Sequence, residues 1–334
     1  MKKFIVLFIT LLVLMTVSLT GCSAIFHTSG TGQVVDKTYD FKDFTGVKIS
    51  ENYQYDIRQA DNYSVVISAR ADVFERVDIR QSGNTLIVSM KFVPFTSSIA
   101  RITITMPQLN TLAVANSCDG SATGFVSNND LDISLSGSSE LEADFTAGKT
   151  SMNISSSSNI SGNLTAADTT INVFSSSRMN MALVTGKTNL TFSDSSRGSG
   201  SLTAADTQIR VNSSSTLDMT MKTGNAAVTA SGSSNIWGSL EALDCTFNIF
   251  SSSRCELSGS AGTTTIIASG SGNMNSHDLI LQNADVTLQS SSHAGIYTDG
   301  ALNIDISGSS ILDYYGNPSI GKVNVSSSSK LNHK

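Results

Sequence analysis

The chain has 334 residues, a formal net charge of −6 and only 14% charged residues, with Ser, Thr, Asn and Gly abundant. An acidic chain is a poor candidate for nucleic-acid binding, because proteins that bind nucleic acids carry basic patches. Serine-rich composition also occurs in disordered segments, but regular apolar spacing from residue 40 onwards argues against disorder. The composition therefore predicts a folded protein that does not bind nucleic acid.

Residues 1–21 are organised like a bacterial lipoprotein signal peptide. Lys2 and Lys3 precede an apolar run that ends at Val17. Leu-Thr-Gly followed by Cys22 resembles the lipobox, which implies cleavage before this cysteine and attachment of lipid to its thiol. A simple secretory signal with a chance cysteine is the alternative. We predict a lipid anchor at Cys22, which attaches the protein to a membrane of the bacterial cell envelope (outer membrane or cell surface) without spanning it.

The two segments that follow differ in pattern. Residues 22–39 are polar and are predicted to form a tether. Over residues 40–111 apolar and polar residues alternate between turn residues, which predicts short half-buried strands. One short helix is expected at 71–77, and Pro107 is expected to end its strand because proline cannot donate to a ladder. We predict an irregular β region that caps the segment after it.

A nineteen-residue repeat dominates residues 112–334. Its marker is a serine that recurs eleven times, with one-residue adjustments near the end. This serine column consists of Ser138, Ser157, Ser176, Ser195, Ser214, Ser233, Ser252, Ser271, Ser291, Ser309 and Ser328. A fixed period is typical of stacked repeats. We predict a structural role for the column, through hydrogen bonds to the neighbouring coil or to its own turn. Ser214→Ala is therefore expected to destabilise more than Asn212→Ala.

Apolar residues recur with the same period on either side of each serine. One inward column contains Leu141, Ile160 and Met179, and another begins with Val126 and Phe145. A spacing of two within each coil places these side chains on one face of a strand. Alternating helices are absent from the pattern. We predict a right-handed parallel β-helix of about eleven coils, with the hand that parallel crossovers prefer.

A weaker period of 38 residues is superimposed on the repeat. Leu-Thr-Ala-Ala-Asp-Thr at 164–169 returns at 202–207, and a looser copy stands at 240–245. Small and large residues also alternate in one column, as at Gly200 and Met219. We interpret this alternation as a way for neighbouring coils to fill one core without voids.

Three cysteines remain besides Cys22. They are Cys118, Cys245 and Cys255, and the last two fall in inward columns. Buried free thiols behave as small hydrophobic side chains, and this interpretation is favoured here. A disulfide stays open as the alternative, because sequence does not place the sulfur atoms.

The outward columns offer little for catalysis. Glycan lyases and hydrolases need paired carboxylates, or a base beside a cation or a metal, whereas the acidic residues here are scattered. His277 and His293 stand alone in the sequence. We predict no catalytic residue, no metal and no cofactor.

A broad Ser/Thr/Asn face is the more promising feature. Extended faces of this kind serve binding in repeat proteins. We name Trp237, Asn153 and Asn172 as candidate ligand-binding residues. The indole ring of Trp237 is expected to point outward and could stack on a sugar, although a ring that only covers a corner is the alternative.

Several stretches carry a family resemblance. They are Asp-Phe-Thr-Gly-Val-Lys-Ile at 43–49, the strands at 53–57 and 63–67, the strand with Pro-x-Leu at 102–109, and Tyr-Gly-Asn-Pro at 315–318. Together with the Ser-Gly-Ser-Ser turns they resemble the head GIN domain family, described as heads of autotransporter adhesins. The resemblance extends over about residues 40–331. It implies a β-helical fold on a lipoprotein or secreted chain, and it brings no catalytic residues.

The residues and the resemblance together favour a lipid-anchored β-helix of the cell envelope with an adhesin-like binding or structural role and no catalysis. Its partners would be the membrane, through the lipid, and a glycan or an envelope or host protein. Two alternatives stay open. One is an enzyme acting on polysaccharides, and the other is an accessory of envelope assembly or stress that binds a protein.

Overall fold

Parallel strands stacked in a constant register dominate the computed structural model, which describes residues 33–91 and 100–334. The predicted signal peptide, Cys22 and the first part of the predicted tether lie outside the described residues. The strands are β1 (Val34–Tyr39), β2 (Gly46–Ser50), β3 (Tyr53–Gln59), β4 (Ser64–Arg70), β5 (Val77–Ser82), β6 (Thr85–Met90), β7 (Ala100–Met106), β8 (Thr111–Ala115), β9 (Asp119–Val126), β10 (Leu131–Ser136), β11 (Glu140–Ile154), β12 (Asn159–Val173), β13 (Arg178–Phe192), β14 (Arg197–Val211), β15 (Thr216–Ala230), β16 (Asn235–Phe250), β17 (Arg254–Ser269), β18 (Asn273–Leu288), β19 (His293–Thr298), β20 (Ala301–Ile306), β21 (Ile311–Tyr315), β22 (Ser319–Val325) and β23 (Lys330–His333), with one short helix, α1 (Ala71–Phe74).

The strand register confirms the predicted parallel β-helix. Leu141 on β11 pairs with Ile160 on β12, which pairs with Met179 on β13, so one coil equals one nineteen-residue repeat. Residues 35–334 form one unit, a solenoid of about 12 turns. Within the described ranges, no helix is long and apolar enough to cross a membrane.

Most residues of the inward columns are buried, whereas Val323 and Val325 in the last coils are 48% and 42% exposed. One gap inside the stack is filled by a neighbouring coil. Gly198 stands where neighbouring coils carry Met179 and Leu217. The ring of Phe192, fully buried, occupies the space that a side chain at Gly198 would need. A large residue in one coil thus replaces a missing one in the next, which keeps the core filled.

The prediction that the side chain of Val126 faces the core is wrong. Val126 is 67% exposed, whereas Phe125 is buried and pairs with Phe145. The ladder between β9 and β11 shifts register just before this pair, and Gly124 has a φ of 78°. An extra residue in one strand is a β-bulge, and it reverses which side chains face the core.

The N-terminal region is irregular in its connections, yet it continues the stack. β2 pairs in parallel with β6 on one side and β8 on the other, and β3 does the same with β7 and β9. The antiparallel partners are β4 for β7 and β5 for β6. As predicted, α1 is short and β7 ends at Met106, before Pro107. The predicted tether overlaps β1, which pairs with β4.

Each coil turns at two consecutive residues with left-handed backbone. In the coil that ends at Ser157, Ser156 has a φ of 57° and Ser157 a φ of 64°, and the amide of Ser158 donates to the carbonyl of Ser155 over 3.3 Å. All eleven residues of the serine column have a φ between 60° and 65°. Their amides bond the next coil, as when Ser157 donates to the Ser175 carbonyl over 2.9 Å.

The serine that follows each turn supplies the side-chain hydrogen bonds. Ser234 is fully buried, and its hydroxyl donates to the carbonyl of Val211 over 2.7 Å. Its amide donates to the hydroxyl of Ser253, the equivalent residue of the next coil, over 3.2 Å. Buried hydroxyls need partners, and the equivalent serines of the other coils form hydrogen bonds as well, except in the coil where Gly272 takes this position.

These contacts revise the expectation for Ser214→Ala and Asn212→Ala. Ser214 is exposed, and within the described residues its hydroxyl has no hydrogen-bond partner. Asn212 accepts a hydrogen bond from the Ser231 hydroxyl over 2.7 Å. The order of the two effects is therefore expected to be reversed, because the column acts through its backbone conformation.

The 38-residue period also has a backbone cause, which the interpretation in terms of core volume did not include. Gly162, Gly200 and Gly238 occur in alternate coils and have φ between 120° and 127°. A Cβ at Gly200 would overlap the carbonyl oxygen of Met181 in the preceding coil. Only glycine combines this φ with such a close approach, so every second coil follows a different path here.

Within the described residues, Cys118, Cys245 and Cys255 are free and buried, as favoured from the sequence for the last two. Burial raises the pKa of Cys255 to about 12. Burial, with a smaller effect of the Asp244 carboxylate, raises the pKa of Cys245 to about 12 as well. Burial also raises the pKa of Cys118. These thiols fill core positions and carry little thiolate.

We predict that Gly200→Ala lowers the free energy of unfolding by more than about 2 kcal/mol, because of its φ and the overlap with Met181. Gly83→Ala is the control, since Gly83 has a φ of 56° but open space around its Cα. The control is expected to lose about 1 kcal/mol. Urea unfolding followed by circular dichroism measures both, and equal losses would contradict the close-approach explanation.

We predict that Ser234→Ala destabilises by about 1 kcal/mol, since it removes a buried hydrogen bond to the Val211 carbonyl, which keeps only the Ser231 amide as a donor. Ser233→Ala, one residue earlier and exposed, should change stability by less than about 0.5 kcal/mol. Both variants delete one hydroxyl, so they form a matched pair for urea unfolding. Similar losses for both would refute a distinct role for the buried serine.

We predict that iodoacetamide at pH 8 modifies Cys118, Cys245 and Cys255 slowly in the native protein and readily in urea. A pKa near 12 lowers the thiolate fraction about a thousandfold relative to an ordinary thiol. Ser214→Cys provides an exposed control thiol. Mass spectrometry locates the modified residues, and native labelling of Cys245 as fast as that of the control would disprove the prediction.

Candidate functional site

The outward side chains of the first half of each coil form one face, on which Trp237 stands. Strand alternation places Ile236 in the core and Trp237 outside, where it is 37% exposed. Its register neighbours are Asp218 on β15 and Glu256 on β17. Glu256 also forms an ion pair with Arg254, with 3.7 Å between Oε1 and Nη1. The indole ring thus lies between two carboxylates on a polar strand surface.

The candidate residues Asn153 and Asn172 lie elsewhere. They are register neighbours on the second half of their coils, and the Asn172 Nδ2 donates to the Asn153 Oδ1 over 3.0 Å. The coil of Asn172 is four coils from that of Trp237, or roughly 19 Å along the stack. The structure therefore does not bring the two asparagines together with Trp237. Their mutual hydrogen bond stabilises the ladder between β11 and β12.

A groove of about 380 Å³ runs along the corner between the two halves of four coils. Its lining forms three rows: Lys187, Asp206, Asn225 and Asp244; Thr188, Thr207, Ala226 and Cys245; Asn189, Gln208, Ala227 and Thr246. Sequence reasoning missed this groove. The available signal was the Ala226–Ala227 pair, which replaces larger polar residues of the neighbouring coils and deepens the surface there.

The aspartates of this corner have structural partners. Asp168 Oδ1 accepts a hydrogen bond from the amide of Lys187 over 3.2 Å, and Asp206 Oδ1 accepts one from Asn225 Nδ2 over 2.7 Å. Such bonds hold the corner of one coil to the next. Among residues 33–91 and 100–334, no three His, Cys, Asp or Glu side chains are grouped to hold a metal ion.

His293 is not isolated, although the sequence suggested it. Its Nε2 lies 3.0 Å from the Oδ2 of Asp313, whose Oδ1 accepts from Asn332 Nδ2 over 2.8 Å. Partial burial raises the pKa of Asp313, but the hydrogen bonds from Asn332 and His293 outweigh it and keep that pKa below its ordinary value. Lys334 Nζ lies 3.8 Å from the same carboxylate. This cluster ties together the coils of β19, β21 and β23.

Solved structures that match the chain include proteins of Parabacteroides and Bacteroides species. A "putative adhesin" from Parabacteroides merdae ATCC 43184 is 13% identical, with coverage of 91% of this chain and 98% of the other and a TM-score of 0.42. A "putative lipid binding protein" from Parabacteroides distasonis ATCC 8503 is 14% identical, with the same coverages and a TM-score of 0.35. A "putative adhesin" from Bacteroides fragilis NCTC 9343 is 14% identical, with coverages of 90% and 97% and a TM-score of 0.36.

No curated protein matches the chain. The sequence does match one family over residues 43–208 and again over 201–318. Its description reads "Putative auto-transporter adhesin, head GIN domain". The two matches together span most of the solenoid, and they confirm the resemblance found in the strand motifs. The chain belongs to the head GIN domain family.

Proposed function

We propose that this protein is an adhesin-like binding protein of the bacterial cell envelope, without catalytic activity, held to a membrane by a lipid on Cys22. Membership of a family described as adhesin heads is the observation that carries the proposal. The proposed location in the cell envelope is supported by the lipobox-like sequence that ends at Cys22. An adhesin needs an extended outer surface presented away from its membrane, and a stack of coils supplies one.

The proposal is also supported by the fact that different side chains stabilise the coils and cover the outward strand faces. Core residues and the buried serines hold the coils together, and Asp168 and Asp206 bond the next coil at the corner. These roles leave the Ser, Thr and Asn side chains of the strand faces free to meet a partner. Hydroxyl and amide groups recognise glycans and polar protein surfaces through hydrogen bonds.

Expression of the full chain with its own signal sequence tests the proposal. We expect wild-type protein to incorporate labelled fatty acid, to sediment with membranes, and to increase adherence of the cells to surfaces coated with glycans or host matrix. Cys22→Ser should lose the label, the membrane association and the gain in adherence. Cys245→Ala, which removes a buried thiol, is the control and should behave as wild type.

Two results would sink the proposal. Fatty-acid labelling that persists in Cys22→Ser would show that the lipid is not attached to Cys22. Wild-type cells that adhere no better than cells lacking the protein, on every coated surface, would refute the adhesin role.

A further inference from the structure

Two adjacent arginines on the face of Trp237 have no acidic partner. Arg178 on β13 and Arg197 on β14 are register neighbours, and both are exposed. Neighbouring coils lie roughly 4.8 Å apart, and like charges placed side by side on adjacent strands destabilise a sheet. Within residues 33–91 and 100–334, neither guanidinium forms an ion pair. This arrangement costs stability unless an anion from outside compensates it.

Four other arginines avoid this cost. Each pairs with an acidic residue two positions away in the chain, whereas Arg101 and Arg210 form no ion pair within the described residues. These pairs are Arg58–Asp56, Arg70–Asp72, Arg80–Asp78 and Arg254–Glu256. At the corresponding positions Arg178 is followed by Asn180, and Arg197 by Ser199. The two positive charges are therefore left without the local partner that the other four have.

Trp237 lies further along the same face. Arg197 pairs in register with Thr216, which pairs with Asn235, and the indole follows Asn235 by two residues. The ring is thus two coils, or roughly 10 Å, from Arg197 along the stack. We call the five residues Arg178, Arg197, Thr216, Asn235 and Trp237 the arginine–tryptophan surface. It combines two cations and two polar side chains in one column with an exposed aromatic ring two residues to the side of that column.

We propose that the arginine–tryptophan surface binds an acidic polysaccharide. A guanidinium matches the geometry of a carboxylate or sulfate oxygen pair and forms two parallel hydrogen bonds with it. The indole face of Trp237 accepts the C–H side of a neighbouring sugar ring, while its polar edge stays wet. Asp218 and Glu256, beside the ring, accept hydrogen bonds from sugar hydroxyls. This inference rests on the proposed adhesin function and gives the ligand class.

Binding of the full chain to four soluble polymers tests the inference. Polygalacturonate carries carboxylates and dextran sulfate carries sulfates. Methyl-esterified polygalacturonate and unmodified dextran are their uncharged counterparts. We expect binding to at least one charged polymer, weaker binding to its uncharged counterpart, and weakening as salt rises, since salt screens exposed charges. The polymer that binds identifies the anionic group.

Single substitutions on one strand provide the matched comparison. Arg197→Gln and Arg210→Gln both remove one exposed positive charge from β14, but Arg210 lies on the second half of its coil. Arg197→Gln is expected to weaken binding about tenfold, and Arg178→Gln likewise. Trp237→Ala should weaken it about fivefold or more. Arg210→Gln should bind as wild type, and urea unfolding checks that all variants are folded.

Three outcomes would overturn the inference. They are equal binding to charged and uncharged polymers, equal effects of Arg197→Gln and Arg210→Gln, and absence of binding to either charged polymer. Adherence of cells that express the wild-type chain would still support the adhesin role in each case. Failure of the ligand assignment is therefore distinguishable from failure of the proposed function.

Discussion

The left-handed turn at each serine pair is the constraint on which the stack depends. Two residues with positive φ reverse the chain in the space of one β-turn, and the amide of the second bonds the next coil. Left-handed backbone costs about 1–2 kcal/mol for a residue other than glycine. The cost is repeated in every coil, and it is offset by the ladder and by the buried serine that follows. Because the Ser234 hydroxyl donates to the Val211 carbonyl and lies 3.3 Å from the Ser253 hydroxyl, its removal affects contacts to two coils at once.

A second constraint sets the longer period. Gly162, Gly200 and Gly238 bring the backbone against the carbonyl of the preceding coil, where no side chain fits. The coils therefore alternate between two paths from β12 to β16, where the strands keep one hydrogen-bond register. Repeat proteins distribute stability over nearest-neighbour interfaces, so alternation of this kind makes a pair of coils the true structural unit.

The residues that stabilise the stack are different from those of the proposed binding surface. The serines of the turns, the corner aspartates and the apolar core residues stabilise the fold. The side chains at outward strand positions are available for contact with a partner. Four arginines are neutralised by a carboxylate two residues away in the chain, as Arg254 is by Glu256. Arg178 and Arg197 differ from these four and lie on the face that also exposes Trp237. An anionic ligand would neutralise these two positive charges, which no carboxylate of the described residues pairs with.

The sequence by itself determined the parallel β-helix, its nineteen-residue coil, the buried cysteines and the outward Trp237, because period and alternation are local properties of the chain. Tertiary structure decided which serine hydroxyl is buried, since Ser233 and Ser234 differ only by the turn conformation between them. It also decided that Phe125 rather than Val126 faces the core, because a bulge shifts the ladder there. The contact of His293 with Asp313, and the hydrogen bond between Asn153 and Asn172, depend on strand register between coils. Contacts between neighbouring coils fix that register, and they exist only once the stack has formed.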